Sequence, residues 1–132
     1  MRVWTNGTFD VLHVGHIKLL EFAASYGDLR VGIDSDKRVK ELKGDNRPFN
    51  TTENRKYFLE SIKFVNDVVV FDSREELIQM VKDYQPDFMV IGDDYVGQPV
   101  YGSEHAKQLI FFNKIPGLSS SKILGYEDIG NR

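Results

Sequence analysis

Two of the three histidines, His13 and His16, stand three residues apart with Gly15 between them. They close the segment Asn6-Gly7-Thr8-Phe9-Asp10-Val11-Leu12-His13-Val14-Gly15-His16. The short apolar run Val3-Trp4-Thr5 precedes this segment, and Ile17, Leu20, Ala23 and Ala24 follow it at helical spacing. It therefore reads as a strand, a turn and the start of a helix. On a helix, positions three apart share a face, and a glycine between them lets a ligand approach the backbone. The helix N-terminus adds free N–H groups and partial positive charge. Two imidazoles in that place suit phosphate oxygens. Residue type alone leaves two other readings open: a zinc pair whose third ligand comes from elsewhere, or a structural pair with no chemistry.

Other residues carry weaker chemical signals. Ser119-Ser120-Ser121-Lys122-Ile123 looks like a second helix start, able to present hydroxyls and N–H groups to an anion; simple capping would need one serine. Lys37, Arg38, Lys40, Lys43 and Arg47 cluster in sequence, as a solvated helix face or as a local patch for one small anion. Gly92-Asp93-Asp94 follows the apolar run Phe88–Ile91, placing carboxylates at a strand end.

The elements that must position these groups alternate. Strands are expected at Val3–Thr5, Leu29–Ile33, Val68–Phe71, Phe88–Ile91 and Leu109–Phe112. Helices are expected from about His16 to Gly27, taken as a C-terminal cap, and from Asp36 to Leu42. Another should start at Asn50 through a capping box with Glu53, burying Tyr57, Phe58, Ile62 and Val65. A fourth should bury Leu77, Ile78, Val81 and Tyr84, and a short one should span Ser103–Gln108. Apolar strands without alternation, separated by helices, imply a parallel sheet covered on both faces. The expected fold is therefore α/β: one Rossmann-like, doubly wound, five-stranded parallel sheet spanning residues 1–132. In such folds ligands sit beyond the carboxyl ends of the strands, where strand order reverses.

Composition excludes several classes. The 132 residues, 41% hydrophobic, suit one compact core. There is no cysteine, which removes disulfides, thiolate nucleophiles and Cys-type zinc sites. No apolar run approaches the roughly 20 residues that cross a bilayer, and Met1-Arg2-Val3-Trp4 does not open a secretory signal; no membrane partner and a cytoplasmic location are expected. A net charge of −3 lacks the basic excess of a duplex-coating protein, so no nucleic acid partner is expected.

The segment from Asn6 to His16 resembles the G-T-F-D-x-x-H-x-G-H element of the small cytidylyltransferase-like nucleotidyltransferases, of the wider H-x-G-H superfamily. Three further matches occur in order: Glu53-Asn54-Arg55, Gly92-Asp93-Asp94, and Gly117-Leu118-Ser119-Ser120-Ser121-Lys122-Ile123, which is similar to the family's G-I-S-T-T-[KR]-I. The resemblance covers nearly the whole chain. It implies attack of a substrate phosphate on the α-phosphorus of a nucleoside triphosphate, with release of pyrophosphate and no covalent enzyme intermediate. It also implies roles. His13, His16, Lys43 and Arg55 would be catalytic, the histidines binding triphosphate oxygens and Lys43 closing over the phosphates, with Lys40 a weaker candidate. Gly7, Thr8, Phe9, Gly15, Gly92, Asp93, Ser119, Ser120 and Ser121 would bind the nucleotide. Asp10, Asp94 and Tyr95 would bind the acceptor, Asp10 having a loop hydrogen bond or N-cap as its plain alternative. Mg²⁺ would arrive with the triphosphate, not in a protein metal site. A homodimer is expected by the same resemblance.

Two subfamilies divide the motifs. Gly92-Asp93-Asp94-Tyr95-Val96-Gly97 is similar to the G-D-D-W-x-G of glycerol-3-phosphate cytidylyltransferases, with Tyr95 in place of Trp. Lys43-Gly44-Asp45-Asn46-Arg47-Pro48-Phe49-Asn50 is closer to the L-K-G-x-x-R-P-x-N loop of heptose-1-phosphate adenylyltransferases. The cytidylyl group's arginine before its last helix is replaced by Asn113, followed by Lys114. The expected activity is transfer of a nucleotidyl group from CTP, favoured over ATP through the G-D-D element, to a small polyol or sugar phosphate. The alternatives are an ATP-using sugar-1-phosphate adenylyltransferase, a non-catalytic nucleotide-binding module and, more weakly, a zinc hydrolase.

Overall fold

The computed structural model describes residues 1–113, apart from the side chain of Asp94. The calls on Lys114, Ser119, Ser120, Ser121 and the last helix start lie outside the described residues. Five strands form one sheet: β1 (Arg2–Gly7), β2 (Asp28–Asp34), β3 (Asp67–Phe71), β4 (Phe88–Gly92) and β5 (Gln108–Phe112). Four helices connect them: α1 (Val14–Ala24), α2 (Asp36–Lys43), α3 (Thr52–Glu60) and α4 (Arg74–Tyr84). The sheet order is β3-β2-β1-β4-β5 and every pairing is parallel. The chain thus winds outward from β1 to one edge, then returns across the sheet to build the other half.

Strand alternation divides the core into two layers. Val3, Leu29, Val31 and Ile33 meet Leu19, Leu20 and Ala23 of α1 and Leu59 of α3 on one face. Trp4, Phe71, Met89 and Ile91 meet Leu77 and Val81 of α4 on the other. Each such side chain taken from water is worth about 1.5–3 kcal/mol. The indole of Trp4 passes over Gly32, where a Cβ would lie 2.6 Å from Trp4 Cζ2, so β2 has no side chain there.

The order reverses beside β1, where functional sites of open parallel sheets form. β1 and β2 pair over six residues, from Arg2↔Asp28 to Gly7↔Ile33. β1 and β4 pair at Val3↔Phe88 and Trp4↔Met89, and no further pair of theirs is formed among the described residues. The carboxyl halves of β1 and β4 therefore part, opening a crevice at the switch point.

Several local expectations change. Helix α1 buries His16, Leu19, Leu20 and Ala23, leaving Ile17 and Ala24 on its half-buried flanks, and it is capped by Ser25. Gly27 serves another purpose: at φ +154°, a Cβ there would lie 2.3 Å from Met1 O, where Asp28 N–H bonds Met1 O. Helix α3 is capped by Thr51, whose side chain accepts from Asn54 N–H, because Asn50 is drawn to Asp10. Its buried face carries Arg55 and Leu59, while Tyr57 and Phe58 are 69% and 44% exposed. Ile62 and Val65 follow the helix and pack against the core from the connection to β3. The short helix expected at Ser103–Gln108 is a single 3₁₀ turn, Ser103–His105, before β5 takes up Gln108.

Candidate active site

The turn from β1 into α1 carries the histidines. Thr8 and Phe9 leave the strand buried, and Phe9 adopts φ +51°. A left-handed phenylalanine costs free energy and persists only where its surroundings dictate it. Here the Phe9 ring packs 5.4 Å from the His16 ring and joins the α1-side core.

His13 is the N-cap of α1, and the cap is reciprocal. Nδ1 of His13 accepts from Gly15 N–H at 3.0 Å, and Nδ1 of His16 accepts from His13 N–H at 3.2 Å. Two donors that a helix start leaves orphaned are thus satisfied by imidazole nitrogens. The protonation states follow. A nitrogen that accepts from a backbone N–H holds no proton, so each neutral ring carries its proton on Nε2. Protonating either ring at Nδ1 would set two donors against each other. The rings stand 4.0 Å apart, tilted by 32°, an arrangement that also disfavours two imidazolium charges. Nε2 of His13 is buried in this arrangement, and the helix end supplies positive potential beside the two rings.

Gly15 is required by this cap. A Cβ at position 15 would lie 2.8 Å from Cε1 and 3.0 Å from Nδ1 of His13. Gly15→Ala is expected to displace the His13 ring and lower turnover about tenfold or more, with helix stability reduced by about 1 kcal/mol. Steady-state rates and thermal melts of the variant check both.

Asp10 is 2% exposed and is not presented to an acceptor. Its carboxylate accepts from Phe49 N–H and Asn50 N–H, each at 2.8 Å, and from Arg47 Nε at 3.2 Å. Asn50 returns its side-chain amide to Asp10 O. The plainer reading, a loop anchor, is the one the geometry supports: Asp10 holds the 44–50 loop against the β1–α1 turn. Asp10→Asn places an amide against those donors. The expected cost is about 1–3 kcal/mol, read by urea denaturation, with a raised KM for whatever the loop covers.

Arg55 is also corrected. It is 0% exposed, and all five guanidinium N–H groups have partners. Nε donates to Asn50 O at 3.0 Å; Nη1 to Thr8 O at 3.0 Å and Asp34 O at 2.7 Å; Nη2 to Asp36 Oδ1 at 2.9 Å and Thr52 Oγ1 at 3.2 Å. A guanidinium has five donors, so none is left for a phosphate in this arrangement. Arg55 is a strut joining the ends of β1 and β2 to the starts of α2 and α3. Burial pushes the Asp36 carboxyl up, but hydrogen bonds from Arg55 and Thr52, with the Arg55 charge, outweigh this and hold it below its ordinary range.

The remaining candidates sit around the same edge. Gly7 ends β1 and Gly92 ends β4. The Thr8 hydroxyl is engaged by Asp34 at 3.3 Å. Asp93 and Tyr95 lie in a 3₁₀ turn directly after β4, and Tyr95 lines a cleft with Asn6 and Asp34. Lys43 closes α2 at the root of the anchored loop, and Lys40 is exposed. Sequence reasoning missed Asp34, Asp36, Arg47, Asn50 and Thr52 as the network beneath the turn. The signal available was the Asp34-Ser35-Asp36 pair of carboxylates at the carboxyl end of a buried strand.

The family model described as cytidylyltransferase-like matches residues 4–123. The chain is 45% identical over 123 residues to the bifunctional protein HldE of Campylobacter fetus, covering 92% of this chain and 27% of that protein. It is 46% identical over 125 residues to the HldE of Sulfurimonas denitrificans, covering 92% and 26%. The chain thus spans about a quarter of the length of these relatives. The fold matches the crystal structure of a lipopolysaccharide core biosynthesis protein from Thermoplasma volcanium at a TM-score of 0.66 and 21% identity, covering 87% of this chain and 98% of that one. With the parallel sheet, the switch-point crevice and the paired histidine cap in place, the chain belongs to the cytidylyltransferase-like family.

Proposed function

We propose that the protein transfers a nucleoside monophosphate from CTP or ATP to a small polyol or sugar phosphate. An oxygen of the acceptor phosphate attacks the α-phosphorus, the bond to the β-phosphate oxygen breaks, and pyrophosphate leaves. The observation that carries this reading is the reciprocal His13–His16 cap. It fixes the orientation of two imidazole rings at a helix N-terminus, a place suited to charge developing on a leaving diphosphate. No general base is required, because the attacking phosphate is already ionised. Catalysis is then largely positioning and charge stabilisation.

Among the described residues no group of three or more His, Asp or Glu side chains is assembled to hold a metal. Magnesium would be carried by the triphosphate, offsetting its charge, while Lys43 and the anchored loop cover the phosphates. Ser119, Ser120 and Ser121 are proposed as further phosphate ligands, and Gly92 and Asp93 as part of the nucleoside pocket.

A second reading is an adenylyltransferase acting on a sugar 1-phosphate. It is favoured by the Lys43–Asn50 loop, held by Asp10 through Arg47 and Asn50, whose sequence resembles that of heptose-1-phosphate adenylyltransferases. Pyrophosphate release measured over a matrix of CTP and ATP against polyol and sugar phosphates tests both. Turnover with CTP and a polyol phosphate selects the first, turnover with ATP and a sugar 1-phosphate the second, and silence across the matrix contradicts either. No helix among the described residues is long and apolar enough to cross a membrane. We also propose that the protein is a homodimer using the β5 edge, where Ile110, Phe111 and Phe112 are half-buried; a single-chain mass by light scattering would refute it.

A further inference from the structure

We propose, resting on the transferase reading, that Phe9 is a positioning residue for His16. Its left-handed backbone is clamped on both sides, by Asn50 and Arg55, so that its ring seats the imidazole in the capping orientation.

The backbone supplies the first argument. Phe9 sits at φ +51°, a region that glycine enters freely and a bulky residue enters at a cost. Both carbonyls that flank it are held. Arg55 Nη1 donates to Thr8 O at 3.0 Å, across 47 residues of sequence. The Asn50 side-chain amide donates to Asp10 O, across 40. Arg55 Nε donates to Asn50 O at 3.0 Å, which joins the two clamps. The Asp10 carboxylate is fixed as well, by Phe49 N–H and Asn50 N–H at 2.8 Å each. Strain imposed by distant partners in this way collects where a function uses it.

The ring supplies the second. It is 3% exposed and belongs to the α1-side core, so it acts on a ligand through a neighbour and not by its own face. That neighbour is His16, whose ring centroid lies 5.4 Å away with the planes tilted by 56°. The terminal torsion of a histidine is broad and roughly two-fold. A half turn would bring a C–H to the place where Nδ1 of His16 accepts from His13 N–H. The Phe9 ring, packed against the imidazole, restricts that turn. Close-packed interiors transmit displacement, so a shift at residue 9 reaches the cap.

A plain core contact would not need this turn. Val3, Leu29 and Val68 enter the same core from strands. Among the described residues the other non-glycine with positive φ is Gln85, the C-cap of α4, where left-handed backbone is common. Phe9 ends no helix, and the side chain it meets is an imidazole. Two devices thus converge on one nitrogen: the His13 N–H that Nδ1 of His16 accepts, and the ring that keeps Nδ1 turned toward it. Through Asn50, Asp10 and Phe9 the 44–50 loop is joined to the histidine cap.

The test uses the intact chain and three variants. Phe9→Leu keeps an apolar side chain and removes the aromatic ring. Asn50→Ala removes one clamp from a half-buried position and leaves the ring. Val68→Ala, in the same core but on β3, controls for lost stability. The readouts are steady-state pyrophosphate release and, in the ligand-free protein, hydrogen exchange of His13 N–H, the donor to His16 Nδ1. The expected kcat falls about tenfold or more in Phe9→Leu and several-fold in Asn50→Ala, with both substrate KM values unchanged within about twofold. Exchange at His13 should accelerate about tenfold in Phe9→Leu and less in Asn50→Ala, while Val68→Ala changes neither readout beyond about twofold. A change in only one readout, in neither, or an equal fall of kcat in Val68→Ala would overturn the positioning role and leave the transferase reading intact. If Phe9→Leu does not fold, Asn50→Ala decides by the same readouts. Faster exchange in both variants, with no pyrophosphate from any substrate pair even in the unmodified protein, would keep the seat and refute the transferase.

Discussion

Replacing His16 by alanine is expected to lower kcat about 100- to 1,000-fold, the usual cost of deleting one donor to transition-state charge. The thermal midpoint should fall as well, because the variant loses the cap bond to His13 N–H, worth about 1 kcal/mol, and the packing of a buried ring against Phe9. His16→Gln separates the two effects. A glutamine at the third helical position can reach back to the N-cap N–H, so stability should return while turnover stays low. Pyrophosphate release and calorimetric melts of the three proteins read the two quantities independently. Full turnover by a folded His16→Ala protein would refute a role for this ring in the reaction.

The largest expected effect on stability belongs to Arg55. Arg55→Met removes five hydrogen bonds from a fully buried position. The carbonyls of Thr8, Asp34 and Asn50 and the Asp36 carboxylate lose their partner. The expected loss is about 3 kcal/mol or more, a large part of the stability of a domain this size. Arg55→Lys should recover only part of it, since one ammonium cannot reproduce the planar fork. A pH dependence follows from Asp36, whose carboxyl is held below its ordinary range in the folded protein. Its contribution is fully present above the unfolded carboxylate range, near pH 4, and is lost as pH falls through the depressed folded value. Urea denaturation should therefore show the gap between unmodified and Arg55→Met proteins narrowing at acid pH. A gap under about 1 kcal/mol at neutral pH, or one that widens with acid, would contradict the strut.

Local patterns revealed much of this fold. The runs Leu29–Ile33, Val68–Phe71 and Phe88–Ile91 each lie within an observed strand, because a strand buried on both faces needs unbroken apolar sequence. The histidine pair was visible because a helix cap is a contact within four residues. The network beneath it was not, because its partners are far apart in sequence: Asp10 meets Arg47, Phe49 and Asn50 across 37 to 40 residues, and Arg55 meets Thr8 across 47. The catalytic role expected of Arg55 comes from the family resemblance, while the apolar pattern points to Tyr57 and Phe58 as the buried face of α3. The real face turned a charged side chain inward, where five oxygen acceptors compensate for its burial. The cleft was hidden for a related reason, since Asn6, Asp34, Arg74 and Tyr101 come from separate segments brought together by sheet order.

The most direct test of the paired neutral imidazoles is nitrogen-15 NMR of the histidine side chains at neutral pH, during titration with magnesium pyrophosphate. The expected spectrum shows His13 and His16 with bare Nδ1 and protonated Nε2, and both Nε2 signals move together as pyrophosphate binds. Rings protonated on Nδ1, or Nε2 signals that stay still while pyrophosphate saturates the protein, would contradict the proposed role of this helix start.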